Sequence, residues 1–326
     1  MPASPVTYTF LGPEGTFTEA ALMQVPGAGE ATRVPASNVN TALDKVRDGS
    51  ADAAMVPIEN SVEGGVTATL DAIATGPELR ILREALVPIS FVLVVRPGVR
   101  LEDIRRVSTH GHAWAQCRIW VGNHIPEAEY IPGSSTAAAA MGLLEDDVHY
   151  DAAICAPIVA AEQPGLTVLA ENIGDNPGAV TRFVLVGRPG ALPEPTGADK
   201  TTVVVPLPED RPGALMEILD QFATRGVNLS RIESRPTGQY LGHYFFSIDA
   251  DGHVGDARVA DALAGLHRIS PATRFLGSYG RADGQQTEVA PHTSDQAFRA
   301  AHSWVENILA GASVVPEYKP AASPTA

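Results

Sequence analysis

Ala53-Ala54-Met55-Val56-Pro57-Ile58 runs straight into Glu59-Asn60-Ser61-Val62-Glu63-Gly64-Gly65, and the reading of the fold turns on this passage. The apolar run reads as a buried strand. Its continuation puts a carboxylate, an amide and a hydroxyl at the strand's C-terminal end, ahead of two glycines. In open α/β sheets ligands bind outside that end of the strands. The passage therefore predicts an α/β sheet and a ligand site at its edge.

Working outward, short β-like runs alternate with helical patterns. Tyr8-Thr9-Phe10-Leu11 leads into the turn Gly12-Pro13-Glu14-Gly15, after which Thr16 or Thr18 can cap a helix. Val66–Ala74 has helical spacing, and Val87–Val95 reads as one long apolar strand. Val107-Ser108-Thr109 precedes a helix over about 113–122, and Ser135-Thr136 caps an Ala-rich helix ending near Glu145. Further strands are expected at 152–155, 167–169 and 183–186. This alternation implies an α/β domain with a largely parallel sheet. Arg188–Asp199 holds Pro189, Pro193 and Pro195 with Gly190 and Gly197, which is linker composition.

The rhythm then changes. Thr201–Val205 is a strand, and Pro212 is placed where a helix can begin without losing a needed N–H. Leu215, Ile218, Leu219 and Phe222 form a helical stripe, and Gly226 can end it. Strands at 228–234 and 244–248, a helix at 254–266 and a strand at 274–279 complete a βαββαβ order, which is ferredoxin-like. An amphipathic helix is expected at 296–309, and the Pro-, Ala- and Ser-rich end reads as disordered.

The bulk numbers exclude several classes. The 326 residues suffice for two or three compact units. No apolar run approaches the roughly 20 residues that span a bilayer, and Met1–Pro5 lacks the basic start and apolar core of a signal peptide. The net charge is −15 with no basic stripe, so nucleic acid is a poor partner. Cys117 and Cys155 form no CxxC pair, and the spacing of His110 and His112 does not put both rings on one helix face. No metal or cofactor is expected, since no P-loop or dinucleotide fingerprint occurs either.

Taken singly, the polar motifs are weak: Ser and Thr at helix starts are usually caps. Taken in order, GPEGTF (12–17), VPIENSVEGGV (56–66), THGHAWAQCR (109–118), SSTAAAA (134–140) and TRF (181–183) resemble the prephenate dehydratase family. PGAL (212–215) and IESRP (232–236) resemble the regulatory motifs of its ACT domain. The resemblance covers about residues 6–280. The chain departs from the usual pattern at Ala179, where an Asn is frequent, at Gly111 for a proline and at His112 for a glutamine.

The resemblance implies a two-lobed, periplasmic-binding-protein-like α/β catalytic domain over 6–188, with lobe one at about 6–76 plus 181–188 and lobe two at about 77–180. A linker over 189–199, an α+β ferredoxin-like ACT domain over 200–280 and a tail over 281–326 would complete the chain. It implies a carbon–oxygen lyase of phenylalanine biosynthesis that converts prephenate to phenylpyruvate without a cofactor. Arogenate as substrate, or a non-catalytic small-ligand sensor, are the alternatives. Thr181 would assist the leaving hydroxyl. Glu59, Asn60, Ser61, Thr109, Gln116, Arg182 and Phe183 would contact the substrate, with Arg182 a carboxylate partner or else a structural ion pair. Phenylalanine would bind at Pro212, Gly213, Ala214, Leu215, Asn228, Leu229, Glu233, Ser234, Arg235 and Pro236, in a pocket commonly shared by two subunits. A cytoplasmic homodimer or homotetramer is expected.

Overall fold

The chain starts as strand β1 (Thr7–Leu11), helix α1 (Phe17–Leu22), β2 (Thr32–Ala36), α2 (Val39–Arg47), β3 (Ala53–Asn60), the short β4 (Gly64–Gly65), α3 (Thr67–Ala74) and β5 (Arg80–Pro88). It crosses to a second lobe of β6 (Val92–Val95), β7 (Arg106–Thr109), α4 (Gly111–His124), β8 (Glu129–Pro132), α5 (Thr136–Gly142), β9 (Ala152–Cys155), α6 (Pro157–Glu162) and β10 (Thr167–Ala170). It returns as β11 (Val180–Gly187). The computed structural model describes residues 6–207, 209, 211–238 and 243–312. The N-terminal five residues and the end of the tail expected to be disordered lie outside them.

The first sheet runs β2-β1-β3-β11-β5, with β4 paired on β3, and the second runs β10-β6-β9-β7-β8. Both are mixed rather than largely parallel: β11 is antiparallel to β3 and β5, and β6 is antiparallel to β9 and β10. Alternation of elements signals crossovers but not the direction of a strand that returns from another lobe.

Two expectations are corrected here. Val87–Val95 is not one strand. β5 and β6 lie in different sheets, separated at Ile89-Ser90-Phe91. Both halves are buried, so their apolar pattern runs on without a break, and Pro88 marks the exit. The lobe boundary accordingly falls after β5 rather than at 76/77. The two crossing segments run side by side: Ile89 N–H donates to the Ala179 carbonyl (2.8 Å) and Ile173 N–H to the Phe91 carbonyl (3.0 Å). One core joins the lobes, from Phe10, Met55 and Phe183 to Leu93, Val107 and Ile154.

After the irregular stretch beyond Gly187 come β12 (Asp199–Pro206), α7 (Ala214–Ala223), β13 (Leu229–Pro236), β14 (Tyr244–Asp251), α8 (Ala257–Ile269) and β15 (Arg274–Gly280). Their antiparallel sheet, ordered β13-β14-β12-β15, is the expected ferredoxin-like unit. Pro212 precedes α7 rather than opening it. Gly213 is the N-cap at φ 87°, a left-handed conformation that glycine adopts without a Cβ penalty. α9 (Asp295–Leu309) comes last, capped by Ser294.

The third sheet docks on the first lobe. Val204, Phe245, Leu276 and Tyr279 share a core with Ile58, Ile81, Val184 and Val186. Fully burying each such large apolar side chain contributes about 1.5–3 kcal/mol. The approach is close: a Cβ on Gly277 would collide with the Ile81 carbonyl oxygen.

Candidate active site and domain joint

β3 and β11 pair so that Thr181 lies opposite Asn60 and Arg182 opposite Glu59. The register then slips before Phe183, which lies opposite Pro57. Such a bulge accommodates a proline that cannot donate to the ladder, and bulges re-aim neighbouring side chains near functional sites.

Asn60 organises the cleft floor. Its Oδ1 accepts from the backbone N–H of Val62 (2.8 Å) and Glu63 (3.2 Å). That fixes the amide's orientation, so Nδ2 is the end that donates to Thr181 Oγ1 at 2.8 Å. With its oxygen already accepting, the Thr181 hydroxyl keeps its proton to donate elsewhere. Ser61 extends the pairing: its N–H donates to the Val180 carbonyl (2.9 Å) and its Oγ accepts from Val180 N–H (2.9 Å). From the second lobe, Gln116 Nε2 donates to Glu63 Oε1 at 3.1 Å, and His112 Nδ1 pairs with Glu63 Oε2. Sequence reasoning misses Glu63. Only the folded cleft brings it to Gln116, and no spacing rule connects the two.

The other candidates are placed differently. Thr109 is fully buried and donates to the Ile154 carbonyl at 2.8 Å, which pins the end of β7 to β9. Phe183 is core, 2% exposed. His110 caps α4 and stacks on His112 with centroids 5.1 Å apart. Burial, aided by the neighbouring His112, pushes the His110 pKa down. Burial pushes the Cys117 and Cys155 thiols up to about 12, so neither is a nucleophile at neutral pH. Among the described residues no group of three or more His, Cys, Asp or Glu could hold a metal ion, and no helix is long and apolar enough to cross a membrane.

Arg182 is 5% exposed and turns to the domain joint. Its Nε donates to Glu84 (2.6 Å), one terminal nitrogen to Asp249 and the other to the Tyr279 hydroxyl (2.8 Å). Glu59 is reached at 3.5 Å. Every guanidinium nitrogen is thus engaged, and the carboxylate fork expected for substrate is occupied by the protein's own acids. Asp249 also binds Arg231 Nε (2.9 Å) and Thr202 Oγ1 (2.8 Å), and Lys200 Nζ binds Glu84 (3.1 Å). Burial works to raise the Asp249 pKa, but Arg182 and Arg231 outweigh it and hold the carboxyl far below its ordinary value. Burial pushes the Tyr279 phenol well above its usual range, so it stays a neutral donor.

The expected effector residues divide into two groups. Glu233 and Arg235 meet the first lobe. Arg235 makes two bonds to Asp71 on α3 (3.0 and 2.9 Å), and a Cβ on Gly65 would collide with the Glu233 carboxylate. Pro212, Gly213 and Leu215 are exposed at the start of α7, with Ala214 buried beneath them, while Ser234 and Pro236 lie exposed on β13. Asn228 and Leu229 lie past the far end of α7, where Asn228 Nδ2 donates to Asp251 (2.7 Å). Ten helical residues rise about 15 Å, so Gly213 and Asn228 of one chain do not face one pocket.

Comparison with known proteins places this architecture. Residues 8–191 match the prephenate dehydratase family and residues 201–268 match the ACT domain. The chain belongs to the prephenate dehydratase family. It is 45% identical over 303 residues to a prephenate dehydratase of Amycolatopsis methanolica, covering 93% of this chain and 97% of that one. A crystal structure of an Arthrobacter aurescens prephenate dehydratase in complex with L-Phe superposes with a TM-score of 0.90 at 82% identity, covering 94% of this chain and 100% of that one. A structure described as a novel type of quorum quenching acylase matches at 31% identity and a TM-score of 0.73, over 84% and 97% of the two chains.

Proposed function

We propose that this family member converts prephenate to phenylpyruvate, with Thr181 as the catalytic hydroxyl and phenylalanine as feedback inhibitor. One observation carries the reading: Thr181 Oγ1 accepts from Asn60 Nδ2 at the cleft floor. In the reaction the ring carboxylate leaves as CO2, its bonding electrons enter the ring, and the C–O bond opposite breaks. The departing hydroxyl takes up a proton and leaves as water. A threonine donates poorly by itself, but a hydroxyl whose oxygen is held by an amide N–H is oriented to give its proton to the leaving oxygen. Positioned proton transfer contributes about 10²–10⁴-fold. Ser61 and Gln116 supply neutral donors for the substrate's carboxylates. Glu59, Thr109, Arg182 and Phe183 support the site from behind: two through the joint, one by pinning β7 and one as core.

The bonding of Thr181 also argues against an acyl-transfer role. A threonine nucleophile needs a base to take its proton. Among the described residues no imidazole or carboxylate is hydrogen-bonded to Thr181, whose oxygen instead receives a donor.

The effector reading rests on the ACT match, the phenylalanine-bound relative and the helix start at Gly213–Leu215, where the Ala214 N–H meets the Arg211 carbonyl and the helix N-terminus suits a carboxylate. Because Asn228 and Leu229 lie at the other end of α7, the pocket is completed by a second subunit in a homodimer or homotetramer acting in the cytoplasm. The test is phenylpyruvate formation from prephenate, and separately from arogenate, by purified protein with and without phenylalanine. Turnover of prephenate suppressed by phenylalanine is expected. A folded sample that turns over arogenate alone, or neither compound, overturns the reading.

A further inference from the structure

We propose that Glu63 is a positioning residue for the dehydration: it reaches across the cleft to orient the Gln116 amide, and so makes lobe closure a condition of a competent site. The proposal rests on the dehydratase reading only in taking Gln116 as a substrate donor. Glu63 stands on the first lobe, in the turn between β3 and β4, and Gln116 on the second, in α4. The turn is stiffened at its root because Asn60 Oδ1 accepts the N–H groups of both Val62 and Glu63. The same Asn60 donates to Thr181. One continuous set of bonds therefore runs from the Thr181 hydroxyl through Asn60 and the turn to Glu63, and over the cleft to Gln116.

An unpartnered glutamine on a helix face samples many rotamers. Accepting one of its N–H groups fixes the amide plane and aims the remaining N–H and the carbonyl, which is how a supporting residue makes a binding group competent. Because the acceptor belongs to the other lobe, the amide is aimed only when the lobes are together. A carboxylate beside a dianionic substrate carries an electrostatic cost. Three titratable groups face this carboxylate: His112 Nδ1 lies against the second oxygen of Glu63, His110 stacks on His112, and the Glu233 carboxylate packs against Gly65 beside the same turn. The ordinary alternative is an exposed polar contact that adds nothing to turnover.

A double-mutant cycle separates the two. Glu63→Ala is expected to lower kcat/KM for prephenate about tenfold, whereas in a Gln116→Ala background it costs less than about twofold, since coupled residues depart from additivity. Glu63→Gln, whose carbonyl can still accept the Gln116 N–H, should restore most of the loss. A readout independent of turnover is the lobe separation, measured by pulsed electron spin resonance between labels at Asp44→Cys and Glu162→Cys; both native cysteines are buried. Glu63→Ala and Gln116→Ala should each broaden that distance, and the double variant no further. Additive kinetics with an unchanged distance distribution overturns the proposal. A wild-type protein without turnover would sink the dehydratase reading, and the distance measurement would still decide the role of Glu63.

Discussion

The cleft and the domain joint use the same strand in opposite ways. Along β11, Thr181 meets the neutral amide of Asn60, while the next residue, Arg182, enters a buried cluster with Glu84, Asp249 and Tyr279. The bonds around Thr181 are few and made by neutral groups, and the one carboxylate reaching across the cleft, Glu63, is partly open to water. Joint bonds are dense, charged and nearly dry. The difference teaches a division of labour. A site that binds a dianion and hands over one proton gains from uncommitted donors, whereas a fixed domain contact needs every buried charge answered. Successive strand residues point to opposite faces, which lets one motif serve both.

The sharpest way to break this contrast is Thr181→Ala. It should lower kcat by about 10²–10⁴-fold while leaving the urea unfolding midpoint nearly unchanged. A change in KM alone would remove Thr181 from the chemistry. The converse is Asp249→Asn, which leaves Arg182 and Arg231 without their shared counter-charge. Breaking a buried pair this way costs about 3–5 kcal/mol, to be read from urea unfolding. A loss under about 1 kcal/mol would mean the joint is not what holds the domains together.

Asp249 also predicts a pH signature. Its folded pKa is depressed below the ordinary 3.8. Its stabilisation is therefore present above that value and is lost as pH falls, because below it the unfolded state binds a proton that the folded state does not. Asp249→Asn should lack that contribution, and its stability should fall less steeply below about pH 4, by up to about 1.4 kcal/mol per pH unit. Identical acid slopes would count against the charged pair. The smallest stability effect is expected at Arg235→Ala, which removes a half-exposed pair with Asp71 worth about 0–1 kcal/mol. Its consequence should show in the phenylalanine inhibition curve as a clear loss of sensitivity. A variant that keeps full sensitivity would detach this contact from regulation.

The class of fold, the change from an α/β to a βαββαβ rhythm, most helices and the ordered motifs of the family were legible in the chain. Those are local properties, set by periodicity, caps and turn residues within one segment. The sequence also put Asn60, Ser61, Thr181 and Gln116 forward together, since each stands in one of the ordered motifs of the family. The rest depends on how distant segments meet. Ile89-Ser90-Phe91 splits an unbroken apolar run between two sheets, because burial has the same sequence signature on both sides of a crossover. Arg182 belongs to the joint, because its partners Glu84, Asp249 and Tyr279 come from β5, β14 and β15. Thr109 is spent on Ile154, Asn228 is a helix length away from Gly213, and Glu63 meets Gln116 across the cleft. Each depends on contacts between segments far apart in the chain, and periodicity within a segment carries no record of which distant carboxylate or carbonyl the fold will bring to it.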